Sequence, residues 1–175
     1  MDIEKILRPE GGRPPRVYFI GIKGTGTSAL AELMRNSGAG VSGSDTAEVF
    51  YTDAILKELG IPFFESFDAS HIRDDFDLVV YSAAYNPETN VELAEALRRS
   101  LPVLKYTDAL GACSAGFDSA GISGVHGKTT TTAIAGALLQ GTGIPAKILA
   151  GSAVAGFGGH STLSLGDKYF VAETC

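Results

Sequence analysis

The chain has 175 residues, enough for one large domain or two small ones, with 45% hydrophobic and 19% charged residues. Fourteen Lys and Arg against 20 Asp and Glu leave a net charge of −6, which argues against nucleic acid or an anionic membrane as the main partner. A phosphate site on this acidic protein must therefore be a local basic spot. Twenty-two glycines suit an α/β protein with many tight loops. Cys113 and Cys175 make neither a disulfide framework nor a metal-ligand spacing, as expected in a reducing cytosol, and Cys113 reads as inert packing. The first residues, Met1 to Lys5, lack the apolar centre of a signal peptide, and no apolar run has membrane-spanning length. A soluble, cytoplasmic protein is expected.

Residues 1–15 end in Gly11-Gly12-Arg13-Pro14-Pro15 and read as a flexible arm. Val17 to Ile20 is a continuous apolar run, typical of a strand buried on both faces. Gly21-Ile22-Lys23-Gly24-Thr25-Gly26 follows, then a helix with Ala29, Leu30, Leu33 and Met34 on one face and Gly38 as its stop. Val41 to Asp45 is a second strand ending in an acid. This βαβ unit with a glycine-rich first turn suggests dinucleotide binding, but Lys23 occupies the position where the middle glycine lets a pyrophosphate approach. Lys23 is either a contact to a phosphate placed differently or an exposed turn residue.

The alternation continues. Tyr51 to Leu59 has helical spacing, with Ile55, Leu56 and Leu59 apolar and Gly60 as terminator, and Ile61 to Phe64 is a short strand. Asp77 to Ser82 is a strong buried strand. Asn86-Pro87-Glu88 opens a helix with Val91, Leu93, Ala94 and Leu97 as its apolar positions, and Pro102 to Leu104 is another strand. Such alternation implies a Rossmann-like parallel sheet with helices on both faces, spanning 16–105.

A second unit, 106–175, starts with a helix over Tyr106 to Cys113 and a strand over Ser119 to Ser123. The next stretch, Gly124-Val125-His126-Gly127-Lys128-Thr129-Thr130, joins that strand to a helix over Thr130 to Leu139. Glycines there let several N–H groups converge on an anion, the lysine adds a point charge, and a hydroxyl at the first helical turn is placed to ligand Mg²⁺. The usual phosphate loop has a glycine where this chain has Ile122, so this is a shorter variant. His126 either touches substrate or is structural. Gly141 to Pro145 breaks the helix, Lys147 to Ala150 is a strand, Gly151 to Gly166 is a loop, and Lys168 to Glu173 is a last strand. A phosphate-loop domain needs more strands than the three or so expected here, so 106–175 reads as the truncated N-terminal part of an ATP-binding domain in a longer protein.

Phe19 to Gly26, Val41 to Asp45, Val80 to Ala84, Gly124 to Thr132 and Phe170 to Glu173 together resemble the Mur ligase family of cell-wall enzymes, over nearly all of 16–175. The resemblance implies ATP-driven amide formation in peptidoglycan synthesis. The member it most resembles activates the lactyl carboxylate of UDP-N-acetylmuramate as an acyl phosphate, which the amine of L-alanine then attacks. It implies ATP and Mg²⁺, with Gly124, Val125, His126, Gly127, Lys128, Thr129 and Thr130 at ATP, Lys128 on the β/γ-phosphates as the catalytic cation, and Thr129 (Thr130 in another register) with Glu173 on the metal. It also implies Gly24, Thr25, Gly26, Asp45 and Ser82 at the UDP-sugar. Lys23 and Ser66-Phe67 stand where many members carry glycine and Gly-His, and His71 receives no role.

Three alternatives stand beside this reading. A recycling ligase would join a peptide to the same sugar nucleotide. An NAD-dependent oxidoreductase would leave the second phosphate loop unexplained. A non-catalytic nucleotide-binding module remains the third, since the residues in hand are expected to be inactive alone.

Overall fold

The computed structural model describes residues 12–174. Most of the expected N-terminal arm, residues 1–11, lies outside them. The rest of that arm is tied down, because the Arg13 guanidinium donates two hydrogen bonds of 2.8 Å to Asp77. The chain divides into Met1–Cys113 and Ser114–Cys175, so the boundary falls after the helix that the sequence reading assigned to the second unit.

The first unit is a parallel five-stranded sheet in the order β3-β2-β1-β4-β5, built from β1 (Arg16–Ile20), β2 (Gly40–Ser44), β3 (Phe63–Phe64), β4 (Leu78–Tyr81) and β5 (Val103–Lys105). β1 sits in the middle, which is why its apolar run does not alternate. Val17, Tyr18, Phe19 and Ile20 are all buried. The expected Rossmann-like order is therefore present, with the strand order reversing at β1. Helix α1 (Thr25–Asn36) follows β1 and buries Ala29, Leu30, Leu33 and Met34, as its spacing predicts. It packs on α2 (Thr52–Glu58), which buries Ile55 and Leu56. On the opposite sheet face Tyr18, Ile20 and Val79 meet Ile72, Phe76, Leu93 and Ala96. Each of the larger apolar side chains buried there, such as Ile20, Val79 and Leu93, contributes about 1.5–3 kcal/mol.

Helix α3 (Val91–Arg98) starts later than expected. Asn90, not the 86–88 turn, is its cap, accepting from the N–H of Glu92 (3.0 Å) and Leu93 (2.9 Å). The Asn86 side chain instead accepts from Glu88 and Thr89 in a separate turn, which Pro87 favours by fixing its own φ. The buried face of α3 is Glu92, Leu93 and Ala96, while Val91 and Leu97 are half exposed and Ala94 is exposed, so three of the four expected apolar positions face outward. β3 is also shorter than expected. A 3₁₀ turn at Ala69–His71, not an α-helix, leads into β4.

Helix α4 (Tyr106–Ser114) reaches the second unit. There β6 (Asp118–Ile122), β7 (Ala146–Leu149), β8 (Thr162–Ser164) and β9 (Tyr169–Glu173) form a sheet in the order β6-β9-β7-β8. β8 runs antiparallel to β7 inside the stretch expected to be loop. Its three residues are too few to show periodicity. Helix α5 (Lys128–Thr142) is longer at both ends than its apolar pattern suggests, and stops at Gly143, whose φ of +67° suits glycine. Its Gly136 lies against the Phe157 ring, where an added Cβ would fall 2.6 Å from a ring carbon. Phe157 in turn packs with Ala146, Ile148 and Ala150.

Among the described residues, no helix is long and apolar enough to cross a membrane. Cys113 is 1% exposed, and burial pushes its thiol up to about 12. Thiolate, the reactive form, is therefore scarce at neutral pH. In a Cys175→Ser variant, a thiol reagent at mildly alkaline pH should leave Cys113 unlabelled in the native protein and label it in denaturant. Rapid native labelling of Cys113 would contradict its burial.

Candidate functional site

Two loop clusters lie at carboxyl ends of parallel strands, one in each unit. In the second unit, the parallel register of β6 and β9 sets Glu173 beside Ile122, two residues ahead of Gly124. The loop leaving β6 turns through Gly124 (φ +153°) and Gly127 (φ +77°), conformations that disfavour any side chain. Lys128 then opens α5, and its ammonium donates to the Gly124 carbonyl at 3.0 Å, folding back over the loop. Val125 is 87% exposed, and His126 and Thr130 are also exposed.

The threonine run is not uniform. Thr131 and Thr132 donate to the Gly127 and Lys128 carbonyls one turn back. Thr129 turns the other way and donates to Glu173 Oε2 at 2.8 Å. The same oxygen accepts from the Gly151 N–H at 2.7 Å. Gly151 was not singled out from the sequence, where it looks like the first residue of an ordinary loop. A Cβ there would fall 2.5 Å from Glu173 Oε2, so only glycine lets this carboxylate sit where it does. The result is a hydroxyl and a carboxylate oxygen adjacent at the first turn of a helix, hard donors of the kind Mg²⁺ takes when phosphate oxygens complete its shell. Among the described residues no group of three or more His, Cys, Asp and Glu side chains converges, so a metal here would rest on this pair and on the nucleotide.

In the first unit, the turn after β1 begins at Gly21 (φ +82°), and the Thr27 hydroxyl closes it on the Gly21 carbonyl at 2.6 Å and the Gly24 carbonyl at 2.9 Å. Gly24 caps α1, Thr25 is its first residue, and Gly26 lies under the Tyr106 ring, which an added Cβ would meet at 2.7 Å. Asp45, 6% exposed, accepts from the N–H groups of Lys23 (2.7 Å) and Thr46 (2.8 Å) and from the Tyr85 hydroxyl (3.3 Å). A carboxylate has about four acceptor positions, so one remains for a further donor. Ser82 is joined to the end of β1 through its N–H, at 2.9 Å from the Ile20 carbonyl. Gly21, Asp45, Ser82 and Tyr85 thus meet at the carboxyl ends of three neighbouring strands. Burial, and then the negative charge of Asp45, push the Tyr85 phenol up to about 12, so it stays a neutral donor.

Two features escaped the sequence reading. Lys23 is neither exposed nor a phosphate contact, because its side chain is fully buried and its ammonium points into the fold. Glu92, on the first turn of α3, is 0% exposed and accepts from the Tyr18 hydroxyl (3.1 Å), the Ser44 hydroxyl, the Asp68 N–H (3.3 Å) and His71 Nδ1 (2.6 Å). His71 itself stacks on Phe64 with ring centroids 3.7 Å apart. Burial pushes the Tyr18 phenol far above the ordinary tyrosine range.

The family model for the Mur ligase family, catalytic domain, matches residues 16–118. A UDP-N-acetylmuramate–L-alanine ligase of Treponema pallidum is 52% identical over 160 residues, covering 91% of this chain and 33% of that protein. The enzyme of the same name from Borreliella burgdorferi is 39% identical over 162 residues, covering 91% and 35%. Among solved structures, the UDP-N-acetylmuramate-alanine ligase of Thermotoga maritima aligns with a TM-score of 0.76 at 26% identity, covering 90% of this chain and 37% of its own. The UDP-N-acetylmuramate:L-alanyl-gamma-D-glutamyl-meso-diaminopimelate ligase of Neisseria meningitides aligns at 0.79 with 27% identity, covering 92% and 52%. The chain spans about a third of the length of the two sequence relatives. By the matched span and these identities, the chain belongs to the Mur ligase family.

Proposed function

We propose that this chain supplies the UDP-sugar-binding unit and the beginning of the ATP-binding unit of a ligase that joins L-alanine to UDP-N-acetylmuramate. The observation that carries the reading is the Thr129–Glu173 pair, 2.8 Å apart beside the Lys128-closed loop, in a chain 52% identical to a ligase of that name. The amine acceptor separates it from the peptide-adding alternative; the two structural likenesses, at 26% and 27% identity, favour neither, and the 52% identical sequence relative favours alanine. Lys23 at the middle glycine position counts against an NAD enzyme.

The reaction unites a carboxylate with a polyphosphate, so the main barrier is anion repulsion, and positioned cations lower it. Lys128 leaves the Gly124 carbonyl for the β/γ-phosphates, with the amides of residues 124–129 and the N-terminus of α5 around them. Thr129 Oγ1 and Glu173 would hold Mg²⁺, which would neutralise phosphate charge. Gly24, Thr25 and Gly26 present the N-terminus of α1 to the diphosphate, and Asp45 and Ser82 take uridine hydroxyls. The lactyl carboxylate attacks the γ-phosphate, giving an acyl phosphate and ADP. The alanine amine then adds to the acyl carbon, loses a proton and expels phosphate.

The complete enzyme should release phosphate only when ATP, Mg²⁺, UDP-N-acetylmuramate and L-alanine are all present. Release with a tripeptide but not with alanine would move the assignment to the recycling ligase. Lys128→Ala should lower the rate by well over tenfold, about 1.4 kcal/mol of barrier, with UDP-sugar affinity unchanged. A smaller loss would remove Lys128 as the main phosphate clamp.

Gly151→Ala forces the Glu173 carboxylate aside, since the new Cβ would fall 2.5 Å from it. Calorimetry should find Mg²⁺-ATP bound about tenfold more weakly, about 1.4 kcal/mol, and metal-free ATP little changed. Equal weakening with and without metal would argue against Glu173 as a metal ligand.

A further inference from the structure

Lys23 makes more polar contacts than any residue assigned to the sugar nucleotide, and all of them run inward. Its N–H donates to Asp45 at 2.7 Å, and its carbonyl accepts from the Thr52 hydroxyl at 2.6 Å. Its ammonium donates to the Thr46 carbonyl (3.0 Å), the Glu48 carbonyl (2.9 Å) and Glu65 Oε1 (3.1 Å), and lies 3.2 Å from Asp53 Oδ2. The Phe63 ring stands 5.2 Å from it.

These partners come from three places: the segment that follows β2, the first turn of α2, and the residue after β3. One residue thus ties the turn after β1 to the structure beyond the ends of β2 and β3. An ammonium bonded to backbone carbonyls and carboxylates in a buried setting is a strong, directional tie. Burial opposes its charge, but the hydrogen bond to Glu65 and the negative charges of Glu65 and Asp53 outweigh this and raise its pKa above the ordinary lysine value. Asp53 Oδ2 is buried without a hydrogen bond, so the ammonium supplies its countercharge.

The segment so held carries Val49, Phe50 and Tyr51, which are 81%, 39% and 50% exposed. Apolar side chains held outward on a tethered segment can present a fixed wall, whereas on a loose segment they would collapse onto the surface.

We propose that Lys23 is a positioning residue for the sugar nucleotide. Its internal charge fixes the spacing between the turn 21–26 and the segment 46–51, so that the α1 N-terminus and Asp45 meet a nucleoside diphosphate at once. Lys23 never touches the ligand. The proposal rests on the sugar-nucleotide reading above.

The test is steady-state kinetics on the complete enzyme with Lys23→Met, which keeps the length of the side chain and removes its charge. The expected result is a KM for UDP-N-acetylmuramate raised about tenfold or more, with kcat and the KM for ATP within about twofold of the unaltered enzyme. If that variant does not fold, Glu65→Gln gives the second measurement, because the Glu65 side chain is 51% exposed and tolerates the change. It should raise the same KM by about threefold, with the same split. An unchanged KM for the sugar nucleotide, or a fall in kcat with both KM values moved together, would overturn the proposal. Failure of the unaltered enzyme to bind UDP-N-acetylmuramate or UDP at all would sink the sugar-nucleotide reading itself.

Discussion

The candidate ATP site depends on where one carboxylate oxygen is allowed to sit. Glu173 Oε2 takes a hydroxyl from the first turn of α5 and an amide from Gly151, at 2.8 and 2.7 Å. The parallel pairing of β6 with β9 brings Glu173 level with the mouth of the loop, and the missing side chain at Gly151 leaves room for it. Removing any of the three changes the site. Without the pairing the acid lies elsewhere, with a Cβ at 151 it is displaced, and without Thr129 the carboxylate loses one of its two donors. These two donors satisfy the half-buried carboxylate where it sits.

The first unit uses the same economy with opposite charge. Its central group is a cation, Lys23, buried beneath a turn that in a dinucleotide enzyme would be kept free of side chains. A buried unpaired ammonium would cost several kcal/mol, and here two carboxylates and two carbonyls offset that cost. Asp45 completes the arrangement by holding the Lys23 N–H and the Tyr85 hydroxyl together. The turn and the segment after β2 are thus held together by charges inside the fold.

Much of this was legible in the chain itself. β1 announces itself as an unbroken apolar run, α1 by its apolar spacing, and the loop 124–130 by glycines, a lysine and hydroxyls in order. Glu173 reads as a strand end, as it is in β9, and the hydroxyl it meets is that of Thr129. Other features were hidden for physical reasons. A lysine in a turn and a glutamate on a helix both look solvated when their partners are distant in sequence. Lys23 meets Asp53 and Glu65, and Glu92 meets residues at positions 18, 44, 68 and 71. β8 is too short for a period, α3 begins at a cap that Pro87 obscures, and Gly151 matters only through a neighbour on another strand.

The most direct test of the central claim is a crystal structure of the protein with Mg²⁺ and a non-hydrolysable ATP analogue. The account predicts the metal at about 2.0–2.1 Å from Thr129 Oγ1, with Glu173 in or beside its shell and Lys128 turned from Gly124 to the phosphates. A nucleotide seated instead on the turn 21–26, with the Thr129–Glu173 bond intact and no metal beside it, would contradict the assignment.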